Sequence, residues 1–305
     1  MQRTLKLGMI GLDTSHVSAF ASILNDPVHP YHVAGGKIEV AFPGIPSADF
    51  ELSIGRVHKY TDELSHKYGV SILDSAEAVA EQSDAVLLIS VDGRVHLDIF
   101  RKIAHYGKPV FIDKPFTVNS EHAEEIFKIA AKYGVSLMSC SSLRYAEELN
   151  KELLKADDVI LGADCYGPMM FESVLPAFFW YGIHSVEMLY RILGRGCVSV
   201  AVTSSEHYDC IVGTWRDGRI GVVRGNRKGN YQFGALIHRA NSVSFVDASS
   251  HDKPTYAGLL ERIMHMFRTG QSDIEAAETL EIIRFLECAN ESRQSGEIVY
   301  LSSGK

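Results

Sequence analysis

The segment GKPVFIDKPFTVN, from Gly107 to Asn119, is the clearest indication of fold class in this chain of 305 residues. Its centre, Val110 to Ile112, is a short apolar run that predicts a buried parallel strand. Because Pro115 cannot donate to a strand ladder, we expect the strand to end with Asp113 and Lys114 at its carboxyl end. Ligands of open α/β sheets bind at that end, although an acid and a lysine after a strand can also form a solvated surface pair.

The composition is that of an ordinary globular protein, with 46% hydrophobic and 22% charged residues. The length fits two domains, or one large domain with an elaborated half. The net charge of −8 argues against a nucleic-acid or anionic-membrane partner. Five scattered cysteines without a C-x-x-C pair favour a reducing compartment. With no signal peptide and no apolar run of membrane length, we expect a cytoplasmic protein without a membrane partner.

Metal binding is the weakest of the functions considered. His29 and His32 lie close together, but no spacing in the chain resembles a zinc-binding motif. We therefore interpret the two histidines as surface-loop residues and predict no metal site.

The amino-terminal segment predicts the opening of a nucleotide-binding βαβ unit. A strand over Leu5–Ile10 is followed by a glycine turn and by helical spacing of apolar residues over 17–24. The fingerprint for this unit is G-x-G-x-x-G. Here Gly11 holds the first position, but Asp13 and His16 hold the other two. An aspartate at the second position adds bulk and negative charge where a pyrophosphate would approach.

The same turn and the segment around the next strand offer residues that could partly replace the missing parts of the dinucleotide-binding motif. Thr14 and Ser15 could cap the following helix and present hydroxyls at its positive end. The second strand, expected over 37–42, is not followed by the acidic residue that usually binds the ribose hydroxyls. Asp49 and Arg56 are expected in the loop after it.

Alternating strands and helices continue to about residue 138, which predicts a doubly wound parallel sheet. A helix is expected over 61–68 with Thr61 as its cap, and a buried strand over 85–89. Ser90 follows that strand, beside the expected position of Lys114. His96 is expected to be a packed histidine that is hydrogen-bonded to a loop.

The second half predicts a different architecture. Alternating residues between 198 and 247 indicate an antiparallel sheet of about four or five strands. A helix is expected over 183–193, two closing helices over 253–270 and 274–292, and a last strand over 297–301.

Three motifs together resemble the family of glucose-fructose oxidoreductase, inositol dehydrogenase and MocA-type relatives. Gly107–Pro115 is similar to that family's G-K-x-V run and E-K-P strand end, with Asp113 in place of the glutamate. Ser90–Asp92 and His96 resemble its T-P-N loop and the histidine that follows. Tyr181–His184 resembles its G-x-H helix start, although Trp180 stands where the family has an aspartate.

The resemblance implies a Rossmann domain over 1–140 and, over 141–305, an α+β domain with a mostly antiparallel sheet that carries substrate and oligomer contacts. It implies NAD or NADP as cofactor, a small-molecule substrate and a homodimer or homotetramer. The implied catalytic residues are Lys114 and His184. The implied cofactor-binding residues are Gly11, Thr14, Ser15, Ser90, Asp92, His96, Asp113 and Lys114. The implied substrate-binding residues are Arg144, Tyr181 and His184.

In this interpretation His184 accepts the hydroxyl proton as hydride leaves to the nicotinamide, and Lys114 donates to the same oxygen. His184 falls in the first turn of its helix and off the apolar face, which suits a neutral base. Arg144 could clamp a substrate group or form a domain-interface salt bridge, and the sequence favours neither.

Two alternatives stay open at this point. One is a lyase, isomerase or hydrolase that uses a tightly held nicotinamide transiently, since it would need the same Lys114 and His184. The other is a non-catalytic ligand-binding or regulatory protein on the same fold, favoured by Asp13, Trp180 and the missing ribose acid.

Overall fold

The computed structural model describes residues 3–155, 158–250 and 252–301. They form two compact units. The first contains the chain up to Thr117 together with Glu121–Cys140 and Tyr256–Ala276; the second contains Val118–Ser120, Ser141–Thr255 and the chain from Ala277 onward. This division also passes between Cys140 and Ser141, and it places Tyr256–Ala276, a segment expected in the second domain, in the first unit.

The first unit is built on a six-stranded sheet. Its strands are β1 (Leu5–Ile10), β2 (Gly36–Phe42), β3 (Ser71–Ile72), β4 (Ala85–Leu88), β5 (Val110–Ile112) and β6 (Leu137–Met138). Its first five helices are α1 (His16–Asn25), α2 (Glu51–Tyr68), α3 (Ala76–Gln82), α4 (His96–Ile103) and α5 (Ser120–Tyr133). The strand order is β3-β2-β1-β4-β5-β6 and all pairings are parallel, which confirms the doubly wound sheet.

The strand order places β1 and β4 next to each other at the point where the winding of the chain reverses. Every residue of β4 and β5 is buried, as expected for strands covered on both faces by helices. Ligands of such sheets bind in the crevice outside the carboxyl ends at this reversal. The turn after β1 and the loops after β4 and β5 are therefore the places to look for a site.

The second helix begins ten residues before the position that the sequence predicted. We expected a helix capped by Thr61, but α2 already begins at Glu51. The hydroxyl of Thr61 instead donates to the carbonyl of Val57, four residues earlier in the same helix, at 2.7 Å. The expected loop position of Arg56 was therefore wrong, since Arg56 lies inside α2, whereas Asp49 does precede the helix.

The second unit contains a seven-stranded mixed sheet. Its strands are β7 (Ile160–Pro168), β8 (Cys197–Ser204), β9 (Tyr208–Trp215), β10 (Ile220–Asn226), β11 (Gly234–Arg239), β12 (Val243–Asp247) and β13 (Val299–Tyr300). The remaining helices are α6 (Glu147–Leu153), α7 (Gly182–Leu193), α8 (Thr255–Thr269) and α9 (Ala276–Ser295), with α8 lying almost entirely in the first unit. In the described ranges no helix is both long and apolar enough to cross a membrane.

The strand order β12-β11-β7-β10-β9-β8-β13 makes this sheet larger than the four or five strands expected. Five of its six pairings are antiparallel, and β7 pairs with β10 in parallel. The mostly antiparallel sheet is thus confirmed. Its size was underestimated because β7 and β13 join it from distant parts of the chain, which no local pattern reveals.

Position 11 requires glycine, and Gly55 provides a matched control position. Gly11 has φ +86°, and a Cβ atom there would lie 2.1 Å from Ser90 Oγ. We expect Gly11→Ala to destabilise the protein by about 2 kcal/mol or more, from left-handed strain and overpacking. Gly55 lies inside α2, and a Cβ atom added there would meet nothing within 4 Å, so Gly55→Ala should stabilise by about 0.5–1 kcal/mol.

Urea unfolding of both variants measures the two changes in the free energy of unfolding. Equal effects at the two positions would contradict the close approach of Gly11 to Ser90.

Candidate active site

The turn after β1 departs from the glycine fingerprint, and the structure shows what the replacing side chains do. Asp13 is buried and its carboxylate accepts hydrogen bonds from Ser53 Oγ at 2.5 Å and from the Val91 N–H at 2.8 Å. Burial raises the pKa of Asp13, although both hydrogen bonds oppose this rise. The aspartate therefore joins the turn to α2 and to the loop after β4.

The histidine at the third fingerprint position joins the same turn to the end of β5. The Nδ1 atom of His16 forms a short contact with a carboxylate oxygen of Asp113, and both side chains are buried. The His16 ring also stacks on Phe20 at 5.6 Å between centroids and meets Tyr256 edge-on at 4.9 Å. Burial alone would raise the pKa of Asp113, but His16 and the neighbouring Lys114 hold it below its usual value.

The start of α1 keeps open hydrogen-bond donors. The N–H groups of Gly11 and Leu12 donate to the carbonyls of Phe42 and Pro43 at 3.0 and 2.8 Å. The N–H groups of Thr14 and Ser15, by contrast, have no hydrogen-bond partner in the described part of the chain. Open N–H groups at a helix N-terminus are the chemistry that binds a phosphate, so this turn fits a dinucleotide pyrophosphate.

The expected capping of α1 by the two hydroxyls is not observed. Ser15 is exposed and makes no side-chain hydrogen bond to the helix, because its own backbone is already helical with φ −62° and ψ −16°. Thr14 Oγ1 accepts only a long hydrogen bond of 3.4 Å from the His16 N–H. Both hydroxyls thus leave the helix N-terminus without a side-chain cap.

The loops after β2 and β4 are fastened to each other by Arg94. Its guanidinium binds Asp49 through two hydrogen bonds of 2.7 and 2.8 Å and binds Asp92 at 2.8–3.0 Å. Ser47 Oγ also donates to Asp92 at 2.6 Å. Burial would raise the pKa of Asp92, but Arg94 and Ser47 together lower it. The carboxylate of Asp92, expected to bind cofactor, is thus occupied by protein groups.

His96 has the geometry of the packed histidine that the sequence predicts. Its side chain is fully buried, and its ring nitrogens lie 3.0 Å from the carbonyl of Phe116 and 2.9 Å from that of Ser90. It therefore joins the loop after β4 to the loop after β5. Ser90 itself is buried against Gly11.

Lys114 follows β5 and is half-buried, before a Lys114–Pro115 peptide bond that is cis. Burial lowers its pKa, the charge of Asp113 opposes this, and the positive charge of Arg56 lowers the pKa further. A lysine of lowered pKa exchanges protons more readily at neutral pH than a solvated lysine does.

The second unit places His184 in the first turn of α7, half-buried. Its Nδ1 atom lies 2.6 Å from Ser141 Oγ. The ring meets Tyr181 and Phe233 edge-on, with centroids 5.6 and 5.8 Å away. Trp180 packs edge-on against Tyr181 at 6.0 Å between centroids and so extends this aromatic cluster.

Arg144 lies in a buried ion-pair cluster within the second unit. Its guanidinium binds Glu187 at 3.0 Å and forms a short contact with Glu278. Burial raises the pKa of Glu187 to about 7, against the opposing charge of Arg144. These carboxylates favour the salt-bridge interpretation of Arg144 over the substrate clamp, with the partners in its own unit.

Several of these partners could not be found from the sequence. Ser53 lies 40 positions from its partner Asp13, and Glu278 lies 134 positions from Arg144. Ser141 lies 43 positions from His184. Only Ser141 had a local signal, as a serine that begins a short helical turn and accepts from the Leu143 N–H. In the described ranges no group of three or more His, Cys, Asp or Glu residues is arranged to hold a metal.

The two units thus define a class of protein. A doubly wound unit has hydrogen-bond donors suited to a phosphate at its first turn, and a unit with a large mixed sheet follows it. Known proteins of similar sequence narrow this class. Residues 53–140 match the model of the Gfo/Idh/MocA oxidoreductase family, described as an NAD-binding Rossmann fold. An inositol 2-dehydrogenase of Rhizobium meliloti is 22% identical over 267 residues, covering 77% of this chain and 80% of the relative.

Solved structures share the whole fold at low identity. A putative myo-inositol dehydrogenase of Sinorhizobium meliloti superposes with a TM-score of 0.79 at 14% identity, covering 98% of this chain and all of the other. Myo-inositol dehydrogenase of Lactobacillus casei, solved with NAD(H) and myo-inositol, superposes with a TM-score of 0.76 at 13% identity, covering 99% and 98%. Residues 53–140 thus carry the family match, and the solved dehydrogenases show that the chain shares their fold.

Proposed function

We propose that this protein is an NAD-dependent dehydrogenase of a polyol, a sugar or a related small hydroxy compound. The observation that carries the proposal is the pair of open N–H groups of Thr14 and Ser15 at the crevice of the doubly wound sheet. The NAD-binding description of the matching family and the NAD(H) in similar solved structures support the choice of cofactor.

The turn after β1 would hold the pyrophosphate. The N–H groups of Thr14 and Ser15 would donate to its oxygens, and Gly11 would keep the turn tight. Asp13 does not oppose this, because its carboxylate is turned toward Ser53 and Val91. When bound, the nicotinamide supplies the acceptor for a hydride from the substrate carbon.

We assign the acid–base chemistry on the substrate to Lys114 and His184, the two residues that the family resemblance indicates. His184 would take the hydroxyl proton on its imidazole. Lys114 would donate to a substrate oxygen and stabilise the charge that develops there. Tyr181, whose ring borders His184, would shape the substrate pocket.

A polyol is the substrate class with the most support. The ammonium of Lys114, the imidazole of His184 and the phenol of Tyr181 are hydrogen-bonding groups that suit hydroxyl-rich compounds. The similar dehydrogenase of Lactobacillus casei contains myo-inositol. The five free thiols fit the cytoplasm, where we place the protein.

One feature of the first unit favours the non-catalytic alternative. Arg94 fastens the loop after β2 to the loop after β4 through Asp49 and Asp92, on the edge where the cofactor would bind. Trp180 at the family's aspartate position favours the same alternative.

Steady-state assays with NAD⁺ and a panel of inositols, sugars and linear polyols test the proposal. We expect turnover of at least one polyol by the wild type, and a fall in kcat of about 10²–10⁴ in Lys114→Met and in His184→Asn. Lys102→Met and His58→Asn make the same substitutions at exposed helix positions and should keep kcat within about twofold of wild type, as usual for surface changes.

Two results would contradict the proposal. One is wild-type activity that survives both Lys114→Met and His184→Asn. The other is a folded wild type that oxidises no compound of the panel, which would leave the non-catalytic alternative in front.

We also propose that the open face of the mixed sheet joins two copies of the chain, in a homodimer or a homotetramer. Ile220, Leu236 and Phe245 are 52%, 36% and 64% exposed, and all lie on the outward side of their strands. Leu236 and Phe245 are direct cross-strand partners. Exposed apolar side chains that share one face of a sheet favour an interaction site there.

Sedimentation equilibrium tests this interface. We expect an oligomer for the wild type and a monomer for the double variant Leu236→Asp/Phe245→Asp, because two charges would be buried without partners. Ile54→Asp changes an apolar residue of similar exposure on α2 and should leave the oligomer intact. A monomeric wild type would refute the interface.

A further inference from the structure

The segment between β2 and α2 crosses the edge of the sheet where a cofactor would bind. In the strand order β2-β1-β4, the end of β1 lies between the ends of β2 and β4. Residues 43–50 follow β2 and nevertheless reach the loop after β4, where Ser47 contacts Asp92 and Asp49 contacts Arg94. The segment therefore passes across the carboxyl end of β1, at the crevice in which ligands of doubly wound sheets bind. We call residues 43–50 the strap.

The first residues of the strap lie directly on the turn after β1. The N–H of Leu12 donates to the carbonyl of Pro43 at 2.8 Å. A Cβ atom added to Gly44 would lie 3.4 Å from Cα of Gly11, which is ordinary van der Waals contact. One methyl group would thus fill the gap between the two backbones. Because a phosphate group is larger than a methyl group, it cannot enter at this point while the strap is closed.

Two polar contacts hold the middle of the strap to the loop after β4. Ser47 Oγ donates to Asp92 at 2.6 Å, and Arg94 donates to both carboxylate oxygens of Asp49 at 2.7 and 2.8 Å. The Asp49 side chain is 60% exposed, and exposed ion pairs contribute little to stability. Arg94 keeps its bond to Asp92 when Asp49 leaves, so opening leaves no charge buried alone. The strap can therefore open at a modest cost in free energy.

The strap also has the properties of a segment that can open by itself. Residues 43–50 belong to no helix or strand, and Ile45 is 84% exposed. Phe50, by contrast, is 1% exposed and anchors the carboxyl end of the strap. Just beyond it, Ser53 of α2 donates to Asp13 at 2.5 Å. Segments with few buried contacts open locally while the rest of a protein stays folded, so the moving part is residues 44–49.

We propose that the strap regulates cofactor binding: residues 44–49 must release the loop after β4 before a dinucleotide enters the crevice. The inference rests on the proposed dehydrogenase function. Only open molecules bind, so the apparent Kd for NAD⁺ equals the Kd of the open form divided by the open fraction. Opening also removes Ser47 from Asp92 and leaves an acceptor oxygen of this carboxylate for a hydroxyl of the ligand. Changes that open the strap should therefore tighten NAD⁺ binding, whereas loss of an ordinary binding contact would weaken it.

Calorimetric titration of strap variants with NAD⁺ tests this sign. Asp49→Ala removes the contact to Arg94 and should lower the Kd by about twofold to fivefold, as for an exposed ion pair. Ser47→Ala/Asp49→Ala removes both contacts and should lower the Kd by about tenfold or more. Asp98→Ala is the matched control, because it removes the same charge and the partner of Arg101 from an exposed position on α4. Its Kd should stay within about twofold of that of the wild type.

Hydrogen exchange reports the state of the strap with and without the cofactor. The Phe50 N–H donates to the Ser47 carbonyl at 2.9 Å, so its exchange reports the order of the strap. Without NAD⁺, we expect faster exchange of this N–H in Ser47→Ala/Asp49→Ala than in the wild type. With NAD⁺, we expect faster exchange in the wild type too, because bound molecules have an open strap. Slower exchange with NAD⁺ would show that the strap closes over the bound cofactor, and this would overturn the inference.

The outcomes separate the strap from the function on which it rests. If the wild type binds NAD⁺ and the strap variants bind it with the same or a higher Kd, the regulation is refuted and the dehydrogenase proposal stands. Tighter binding by the variants, or binding by the variants alone, supports both proposals. If neither binds although exchange shows an open strap in the variants, cofactor binding is refuted and its regulation with it. Should the double variant not fold, Asp49→Ala, which changes an exposed side chain, supplies the comparison.

Discussion

The first unit depends on three contacts that hold the ends of β1, β4 and β5 together. The backbone of Gly11 passes Ser90 so closely that no side chain fits between them. Asp13 accepts from the Val91 N–H, and His16 pairs with Asp113. All are buried, and a buried polar group that loses its partner costs about 1–3 kcal/mol. The edge of the sheet is therefore preorganised by side chains at positions where the fingerprint has glycines.

This arrangement changes the meaning of the two departures from the glycine motif. An aspartate at the second position would repel a pyrophosphate if its carboxylate pointed outward. Here Asp13 points to Ser53 and Val91. His16, the first residue of α1, contacts Asp113 at the end of β5, where the fingerprint would have a glycine without a side chain. Two backbone groups of the turn, the N–H groups of Thr14 and Ser15, have no hydrogen-bond partner among the described residues. Backbone donors bind phosphate without regard to side-chain identity, which is why the motif can change while the binding chemistry stays.

The sequence predicted the parts of the fold that depend on local pattern. Apolar runs located β1, β4 and β5, and helical spacing located α1 and α7 within one or two residues. The start of α2 was missed because Thr61 resembled a cap, whereas its hydroxyl binds a carbonyl of its own helix. The insertion of β7 beside β10 was missed because strand neighbours so far apart in the chain leave no local trace.

The candidate site was predicted by residue type but not by partner. Lys114 at the end of β5 and His184 in the first turn of α7 lie on the elements expected for them. Their neighbours follow from three-dimensional packing: Arg56 from an unexpected helix, Ser141 from a connecting turn, and Glu187 and Glu278 around Arg144. Ionisable side chains so far apart in sequence can be joined only by the fold, so the sequence left both roles of Arg144 open.

Calorimetric titration with NAD⁺ measures whether the first turn binds a dinucleotide through its backbone N–H groups. Ser15 has helical backbone angles with φ −62°, so proline fits there and removes one N–H, whereas Ser15→Ala keeps it. We expect the wild type and Ser15→Ala to bind NAD⁺ with similar Kd, and Ser15→Pro to bind about tenfold more weakly or worse at an unchanged melting temperature. No binding by the folded wild type, or equal Kd for Ser15→Pro and Ser15→Ala, would contradict the claim.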